Sequence, residues 1–455
     1  MICLTGLTAC HSIQFESPRQ SCDLQPPPTW RASASGREGQ LTRGWLSDFS
    51  DRGMSAAVDR AMAHNNDLAA AAARMREAEY LRIAGQSRSL PNLSLSSSGT
   101  YSMSGNGPAP RSESERYGLN ISASWEVDVW KRLRDLNQAI QADTEVVRAL
   151  YRGARLSLAA STAKSWCNLI AAEQQLELAK VTLESFESNL RISERNYIGT
   201  GQGSLDVQFG RTNVASARRA LESRRLERDE AARTLETLCG QYPSGSFNAG
   251  SDLPTMKRNI PTGIPADLIE RRPDLEVGRA RIYASAKRAD AARKNLLPNI
   301  RLTSAAGNSV AQFKDLLDPQ WLAASIAASV AQTVYSGGEL SHVARAAVER
   351  NKELIADYTQ TALIAYREVE SALSTDSSLR AQEEFLVQEV KQAALAEKQA
   401  TRDYADGIEG SDILDVLEAQ RRNNNAKASM IRLKNERIQN RIDLHLALGG
   451  DFKTA

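Results

Sequence analysis

A long internal repeat is the feature that most constrains the fold of this chain. The segment LPNLSL at 90–95 returns as LPNIRL at 297–302, and RNY at 195–197 returns as RDY at 402–404. Both pairs are offset by the same 207 positions, as from Leu90 to Leu297. A fixed offset between two separate landmarks indicates a duplicated structural unit. We therefore expect two halves that share one fold and lie side by side.

The repeat gives a simple domain plan for the 455 residues. The first repeat covers 45–240 and the second covers 263–450, with an equatorial linker at 241–262 between them. Before them we place a truncated lipoprotein signal at 1–10 and an extended tether rich in Ser, Pro and Gly at 11–44. Residues 451–455 are a C-terminal tail.

Composition excludes several classes of protein. The net charge is +2 and is spread evenly, so the chain lacks the basic patch that nucleic-acid binding requires. No apolar run reaches the roughly 18 residues of a membrane helix, so entering a bilayer would require a β-barrel. The five cysteines and four histidines show no metal-ligand spacing, and no catalytic triad or phosphate loop emerges. We expect no cofactor, no metal and no enzyme activity.

One cysteine stands apart because of its context. Leu7-Thr8-Ala9-Cys10 has the form of a lipobox, in which signal cleavage exposes a cysteine that is then acylated. Only nine residues precede Cys10 and none of them is basic, unlike a complete secretory signal. Acylation of Cys10, a chance match and a true start upstream of Met1 therefore all stay open.

Helical periodicity covers most of the chain. Apolar residues at helical spacing predict helices at about 54–88, 132–198, 205–239, 273–296, 339–405 and 412–448. The second of these would be about 100 Å long, and the next two placed end to end would match it. Each repeat thus predicts one long helix antiparallel to two stacked shorter helices, with alanine seams that allow close packing.

Four segments between the helices alternate apolar and polar residues, with loops at 104–115 and 307–320. Each segment is about 9 to 13 residues long, the length of a tilted transmembrane strand. The alternation predicts one apolar face that carries Leu93, Leu95, Leu119, Ile121, Trp125, Ile300, Leu302 and Ile326. A half-buried hairpin in a soluble domain shows the same pattern, so alternation alone leaves both structures open.

The number of strands favours assembly if the sheet does cross a membrane. Four strands cannot close a barrel, and bacterial outer-membrane barrels have even strand numbers from eight upwards. Two chains would supply eight strands around a filled interior, and three would supply twelve with room for a pore. The polar face would suit a water-filled lumen.

The whole pattern resembles the outer-membrane factor family of tripartite efflux systems, the TolC-like proteins, and within it the NodT- and OprM-like lipoprotein branch. The resemblance runs from about Trp45 to Gly450. Its most specific segments are WLSDF at 45–49, SWEVDVW at 124–130, LIERRPD at 268–274, LPNI at 297–300, YADG at 404–407 and DVL at 415–417. The family usually has Gly where this chain has Lys131, which puts the shape of the tunnel mouth in that repeat in doubt.

The resemblance implies a mainly α-helical protein with a membrane β-barrel. Long antiparallel helical hairpins would form a periplasmic tunnel, and four strands per chain would complete a 12-stranded barrel in a homotrimer. The implied function is a passive exit duct for drugs, metal ions or other small solutes, in a tripartite pump of the RND type. The implied partners are outer-membrane lipid, a periplasmic adaptor and an inner-membrane transporter, and the implied location is the outer membrane of a Gram-negative bacterium.

Two other functions stay open at this point. The same duct could be the outlet of a type I protein secretion system, although the lipobox and the segment at 45–49 favour small-solute export. A periplasmic coiled-coil scaffold without a pore would belong to a different class of protein.

The resemblance also gives a role to the turns between the long helices. It implies that these tips contact the adaptor, through Tyr197, Gly199, Gly203, Ser204, Tyr404, Gly407, Gly410 and Ser411. From the residues alone, the glycines permit left-handed turns, and Ser204 or Ser411 would cap the returning helix.

Acidic residues follow the second turn, where family members carry gate residues. Here they are Asp415 and Glu418, and a threefold ring of carboxylates at a constriction would favour cations. Both could instead be solvated acids stabilised by the dipole of their helix. The first copy has Asp206, Gln208 and Phe209 at this place, so the two tips differ where a gate would lie.

Overall fold

The protein is described from a computed structural model that covers residues 30–32, 44–105, 112–200, 203–256, 271–406, 408 and 412–450. Its helices are α1 (Arg52–His64), α2 (Asn66–Ser87), α3 (Arg132–Thr200), α4 (Ser204–Leu238), α5 (Pro273–Lys294), α6 (Glu339–Ala405) and α7 (Ile413–Ala447). Its strands are β1 (Asn92–Ser104), β2 (Ser112–Glu126), β3 (Asn299–Val310) and β4 (Ala323–Ala331). Short 3-10 helices lie at Trp45–Asp48, Phe313–Asp315 and Pro319–Trp321.

The long helices follow the sequence prediction closely. α3, α4, α5, α6 and α7 begin and end within two residues of their predicted bounds. Pro273 is the first residue of α5, a position where its missing N–H costs nothing. The long helix of each repeat is therefore α3 or α6, and the helix that returns from it is α4 or α7.

The single helix predicted over 54–88 is wrong, because α1 and α2 are separate helices. Asn65 between them is extended, with φ −70° and ψ 124°. Its side-chain oxygen accepts a hydrogen bond from the N–H of Leu68, and its amide donates to the carbonyl of Leu238, both at 3.0 Å. Asn65 thus caps the second helix with its own side chain, which apolar periodicity does not reveal.

The four strands form one antiparallel sheet in the order β1-β2-β3-β4. Leu95 lies opposite Ile121, and Trp125 lies opposite Leu302. This register places the predicted apolar residues on one face, namely Leu93, Leu95, Leu119, Ile121, Trp125, Ile300, Leu302 and Ile326. The opposite face is polar, and there the hydroxyls of Ser94 and Ser122 hydrogen-bond at 2.8 Å.

The sheet is open at both sides within the chain. Among the described strands, β1 and β4 each pair with one neighbour only. An edge strand presents a row of backbone N–H and C=O groups that can pair with another chain. The strands also run further into the predicted loops than expected, since β1 reaches Ser104, β2 starts at Ser112 and β3 reaches Val310.

Packing divides the chain into two compact units, and each unit draws on both repeats. Among the described residues, the sheet unit takes Ala73–Ala149 and Val277–Gln360. The second unit takes the described residues that lie within 30–72, 150–276 and 361–450. Alanine seams hold the helices of the sheet unit, where Ala139 and Ala142 of α3 pack against Ala284 of α5.

The core of the second unit surrounds Trp166 of α3. The indole N–H of Trp166 donates to the carboxylate of Asp51 at 2.8 Å, and the same carboxylate caps α1 by accepting from the N–H of Met54 at 3.0 Å. Cys167 and Cys239 lie in this core as buried free thiols. Burial raises the pKa of Cys167 to about 12.

The turn from β2 into α3 holds the departure from the family pattern. Lys131 has φ 61°, the only positive φ of a non-glycine residue in the described ranges. Its N–H donates to the carbonyl of Asp128 at 3.1 Å. The carboxylate of Asp128 then caps α3 through the N–H groups of Leu133 and Arg134, at 3.0 and 2.8 Å. The second repeat has two glycines just before α6, Gly337 with φ 62° and Gly338 with φ 87°, and the offset of 207 aligns Lys131 with Gly338.

Several predictions fall outside the part of the chain that is described. These are the signal at 1–10, most of the tether at 11–44, part of the linker at 241–262 and the tail at 451–455. The described helices include none with an apolar stretch long enough to cross a membrane. Within the same residues, no group of three or more His, Cys, Asp or Glu side chains is placed to hold a metal ion.

Candidate functional site

The tip region consists of the two turns that connect α3 to α4 and α6 to α7, with the first turns of α4 and α7. Of the predicted tip residues, the structure describes Tyr197, Gly199, Gly203, Ser204 and Tyr404. Gly407, Gly410 and Ser411 lie outside the described residues, as does the predicted acylation site Cys10.

The first tip turn is shorter than the sequence suggested. α3 continues to Thr200, so Tyr197 and Gly199 are helical, and a Cβ added at Gly199 would meet nothing within 4 Å. Gly203 has φ 88° and is the N-cap of α4, without a side-chain hydrogen bond. Ser204 is already helical, so the prediction that Ser204 caps α4 is wrong. The left-handed backbone at the cap position favours glycine instead.

At the second tip turn the capping residue of α7 is Asp412, one residue after the predicted Ser411. Its carboxylate accepts from the N–H of Leu414 at 3.4 Å, and the carboxylate of Asp415 accepts from the N–H of Asp412 at 3.3 Å. This reciprocal arrangement is a capping box, which satisfies backbone donors at the helix start. Asp415 is exposed, so its carboxylate stays in contact with water although it also caps the helix.

The two tips bring like charges together. Asp206, which the repeat aligns with Asp415, lies in the first turn of α4. Burial raises the pKa of Asp206, and the negative charge of Asp412 raises it further. Because two neighbouring carboxylates disfavour each other's ionisation, the tip region holds a proton more readily than an isolated carboxylate would.

Glu418 is already paired with arginines of its own helix. Arg421 donates to it at 2.8 and 2.9 Å, and Arg422 donates to it at 2.7 Å. The hydrogen bonds from these two guanidinium groups lower the pKa of Glu418 to about 2. With two cations against one anion, this turn of α7 carries an excess positive charge. This pairing was not predicted, although Glu followed by Arg at i+3 and i+4 is a recognisable ion-pair pattern in a helix.

Buried polar side chains fix α7 against its neighbours close to the tip. Gln420 accepts from the amide of Asn189 and donates to the hydroxyl of Ser185, both at 3.0 Å. Asn423 is also buried and donates to the carboxylate of Glu397 on α6. Polar pairs at helix seams specify register, so these contacts hold the carboxylates of α7 at a defined height relative to α3 and α6.

Large apolar side chains are exposed at both tips. They belong to Tyr197, Ile198, Leu205, Phe209, Ile408 and Leu414. Ile198 is the most open of them, at 85% exposure. Exposed apolar groups gathered in one region mark a contact surface more often than a solvated end.

Comparison with known proteins gives a family and a fold. The sequence profile described as "Outer membrane efflux protein" matches residues 57–241 and 264–450. The chain is 28% identical over 443 residues to the pyoverdine export outer membrane protein OpmQ of Pseudomonas putida, covering 94% of this chain and 93% of the relative. It is 24% identical over 452 residues to the cation efflux system protein CusC of Escherichia coli O6:H1, covering 98% and 97%.

A solved structure supports the same conclusion about the fold. The outer-membrane channel OprN superposes with a TM-score of 0.86 at 24% identity, over 94% of this chain and 98% of that one. The predicted fold class, long helical hairpins joined to a four-stranded membrane sheet, is thereby confirmed.

Proposed function

The chain belongs to the outer membrane efflux protein family, and we propose that three copies of it form the outer-membrane duct of a tripartite efflux pump. As a member of that family it is a channel protein of the outer membrane. The observation that carries the proposal is the four-stranded sheet, which has an apolar face, a polar face and two open edges.

The open edges argue for closure with other copies of the chain. If β4 of one copy pairs with β1 of the next, the backbone groups at both edges are satisfied. Three copies give about twelve strands, an even number within the range of outer-membrane barrels and large enough to leave a pore. The apolar face, with Leu93, Leu95 and Ile326 exposed, would then meet lipid. The polar face of the sheet would line the water-filled interior of the barrel.

The tips suit contact with a periplasmic adaptor. Their exposed apolar side chains, such as Ile198 and Leu414, provide surface that a partner can bury. The turns themselves are short, so a second helical hairpin could meet them end to end. Loss of adaptor copurification in an Ile198→Asp variant would support this contact.

Asp415 is the better candidate for a gate charge than Glu418. Asp415 is exposed and has no ion pair among the described residues. The negative charge of Glu418 is instead balanced by ion pairs with Arg421 and Arg422. A ring of Asp415 carboxylates in the trimer would concentrate negative potential at the tip opening. The gate would thus depend on the residue that also builds the capping box.

The transported molecules are small solutes, and the duct itself is passive. The relatives named above are described for pyoverdine export and for cation efflux. The candidates are drugs, metal ions or other small solutes. The inner-membrane transporter would supply the energy, and acylation of Cys10 would anchor the chain to the inner leaflet of the outer membrane.

The proposal is tested with the full chain purified from outer membranes in a neutral detergent. We expect a mass of three chains by native mass spectrometry and stepwise ion conductance in planar lipid bilayers. The mass of the mature N-terminal peptide shows in the same sample whether Cys10 is acylated. A monomer that gives no conductance, from a preparation whose helical content is intact by circular dichroism, would contradict the proposal.

A further inference from the structure

One cavity of the second unit lies away from the tips. It has a volume of about 820 Å³ and is bounded by α6, α7, Gln174 of α3 and the loop at 252–256. This volume lies within the range of about 300–1,000 Å³ that is typical of small-molecule sites. Neither the internal repeat nor the proposed duct assigns a function to this cavity.

The charged side chains around the cavity are unbalanced. The cations are Arg380, Lys434, Arg437 and Arg441, and the anions are Asp252 and Glu383. The lining therefore carries two more positive than negative charges. Most of the arginines have local partners, since Arg437 pairs with Glu383 and Arg380 pairs with Asp376 at 2.7 Å.

Arg441 differs from the other cations because it is buried without a close counter-ion. It is 5% exposed, and its Nε atom, like that of Arg437, has no hydrogen-bond partner among the described residues. Asp376 and Asp48 attract it from a distance, but the first is paired with Arg380 and the second accepts a contact from His445 at 3.0 Å. Burial outweighs these charges and lowers the pKa of Arg441. A buried guanidinium left in this state is costly unless something pairs with it.

The cavity is also lined by apolar side chains. Its lining includes Leu253, Pro254, Met256, Met430, Ile431 and Ile438. A lining that combines cations with apolar side chains fits a molecule with one anionic end and one hydrophobic end. Arginine recognises the planar or tetrahedral oxygen groups of carboxylates and phosphates especially well.

We propose that this cavity, which we call the Arg441 site, binds the oxyanion end of an amphipathic organic anion, a carboxylate or a phosphate. Arg441 and Lys434 contact the anion, and the methionine and isoleucine side chains of α7 contact its apolar part. All the residues that line the site belong to one chain, so anion binding can be measured whether or not the duct conducts.

The test uses the full-length protein in a neutral detergent and isothermal titration with phenyl phosphate, inorganic phosphate and benzyl alcohol. We expect saturable binding of one phenyl phosphate per chain, weaker binding of inorganic phosphate and no binding of benzyl alcohol. Arg441→Met should weaken phenyl phosphate binding by about tenfold or more, because a charge-assisted hydrogen bond is lost. Lys434→Met, at an exposed position that cannot unfold the core, should weaken it by a smaller factor.

The matched control is Arg432→Met, which removes an exposed arginine from the same helix outside the cavity. This variant should bind phenyl phosphate as the unmodified protein does. Equal binding by Arg441→Met and the unmodified protein would overturn the proposal, as would the absence of saturable binding. Equal affinities for inorganic and phenyl phosphate would overturn the apolar half of it. Loss of the trimer in Arg441→Met, with no anion binding in any variant, would mean that a neighbouring copy fills the cavity.

Discussion

Single residues decide how each helix begins, and the two repeats use different residues for the same task. Asp412 and Asp415 build a capping box at α7, while α4 starts from a left-handed Gly203 without a side-chain cap. Lys131 has a positive φ at the position where the second repeat has Gly338. A Cβ in the left-handed region costs roughly 1–2 kcal/mol, so the turn before α3 is held by its surroundings against local strain.

Replacing Lys131 with glycine should relieve that strain. We expect Lys131→Gly to stabilise the folded protein by about 1 kcal/mol, less than the full strain because glycine gains freedom in the unfolded chain. Urea unfolding followed by circular dichroism measures the change. Lys131→Ala is the control, since it removes the side chain but keeps the Cβ. Equal stabilisation by both variants would show that the lysine side chain, and not the backbone, is the source of the cost.

At the scale of whole elements, the alternation of apolar and polar residues determines the two faces of the sheet. The length of each helical pattern determines the bounds of the helices. The pairing of Ser304 with Ile326 puts Ile326, which is 87% exposed, on the apolar face. Its neighbour Ser325 pairs with Ala305 on the polar face. Adjacent residues of β4 therefore belong to opposite environments in the proposed barrel.

The two faces can be distinguished by one pair of variants. Ile326→Lys should destabilise the assembled barrel by about 2–4 kcal/mol if its position lies at the middle of the bilayer. Ser325→Lys, one residue away, should change stability little, because its side chain would enter water. The amount of folded oligomer in outer membranes, and its denaturant midpoint, measure both effects. Equal losses in the two variants would argue against a lipid-facing apolar surface.

The sequence predicted these elements well where a pattern extends over many residues. The bounds of five helices and the two faces of the sheet follow from periodicity. Prediction failed where one side chain or one backbone angle decides, as at Asn65 and Gly203. The Arg441 site could not be predicted from the sequence either, because the cavity depends on how the loop at 252–256 packs against α6 and α7.

At the scale of the whole molecule, charge at the tips is less simple than a ring of acids. Asp206 and Asp412 repel each other, whereas Glu418 is held ionised by Arg421 and Arg422. Lowering the pH from 7 to 4 should therefore protonate Asp206 earlier than an ordinary aspartate and leave Glu418 charged. The potential at the opening of an assembled duct would depend on Asp415 more than on Glu418.

Ion selectivity of the assembled channel tests that conclusion. Asp415→Asn should lower the preference for cations, seen as a smaller reversal potential in a KCl gradient across a planar bilayer. Asp415→Glu preserves the charge and should keep the preference. An unchanged reversal potential in Asp415→Asn would place the selective constriction elsewhere in the duct.

The buried thiols of Cys167 and Cys239 have a consequence for the chain before its core has folded. A thiol sealed in the core, with its pKa raised, is a poor nucleophile and does not exchange with disulfides. Before the core closes, the same thiols are open to an oxidising compartment, where disulfides form readily. A chain that packs Trp166 promptly therefore keeps its cysteines reduced. A chain whose second unit folds slowly would instead form disulfides through Cys167 or Cys239.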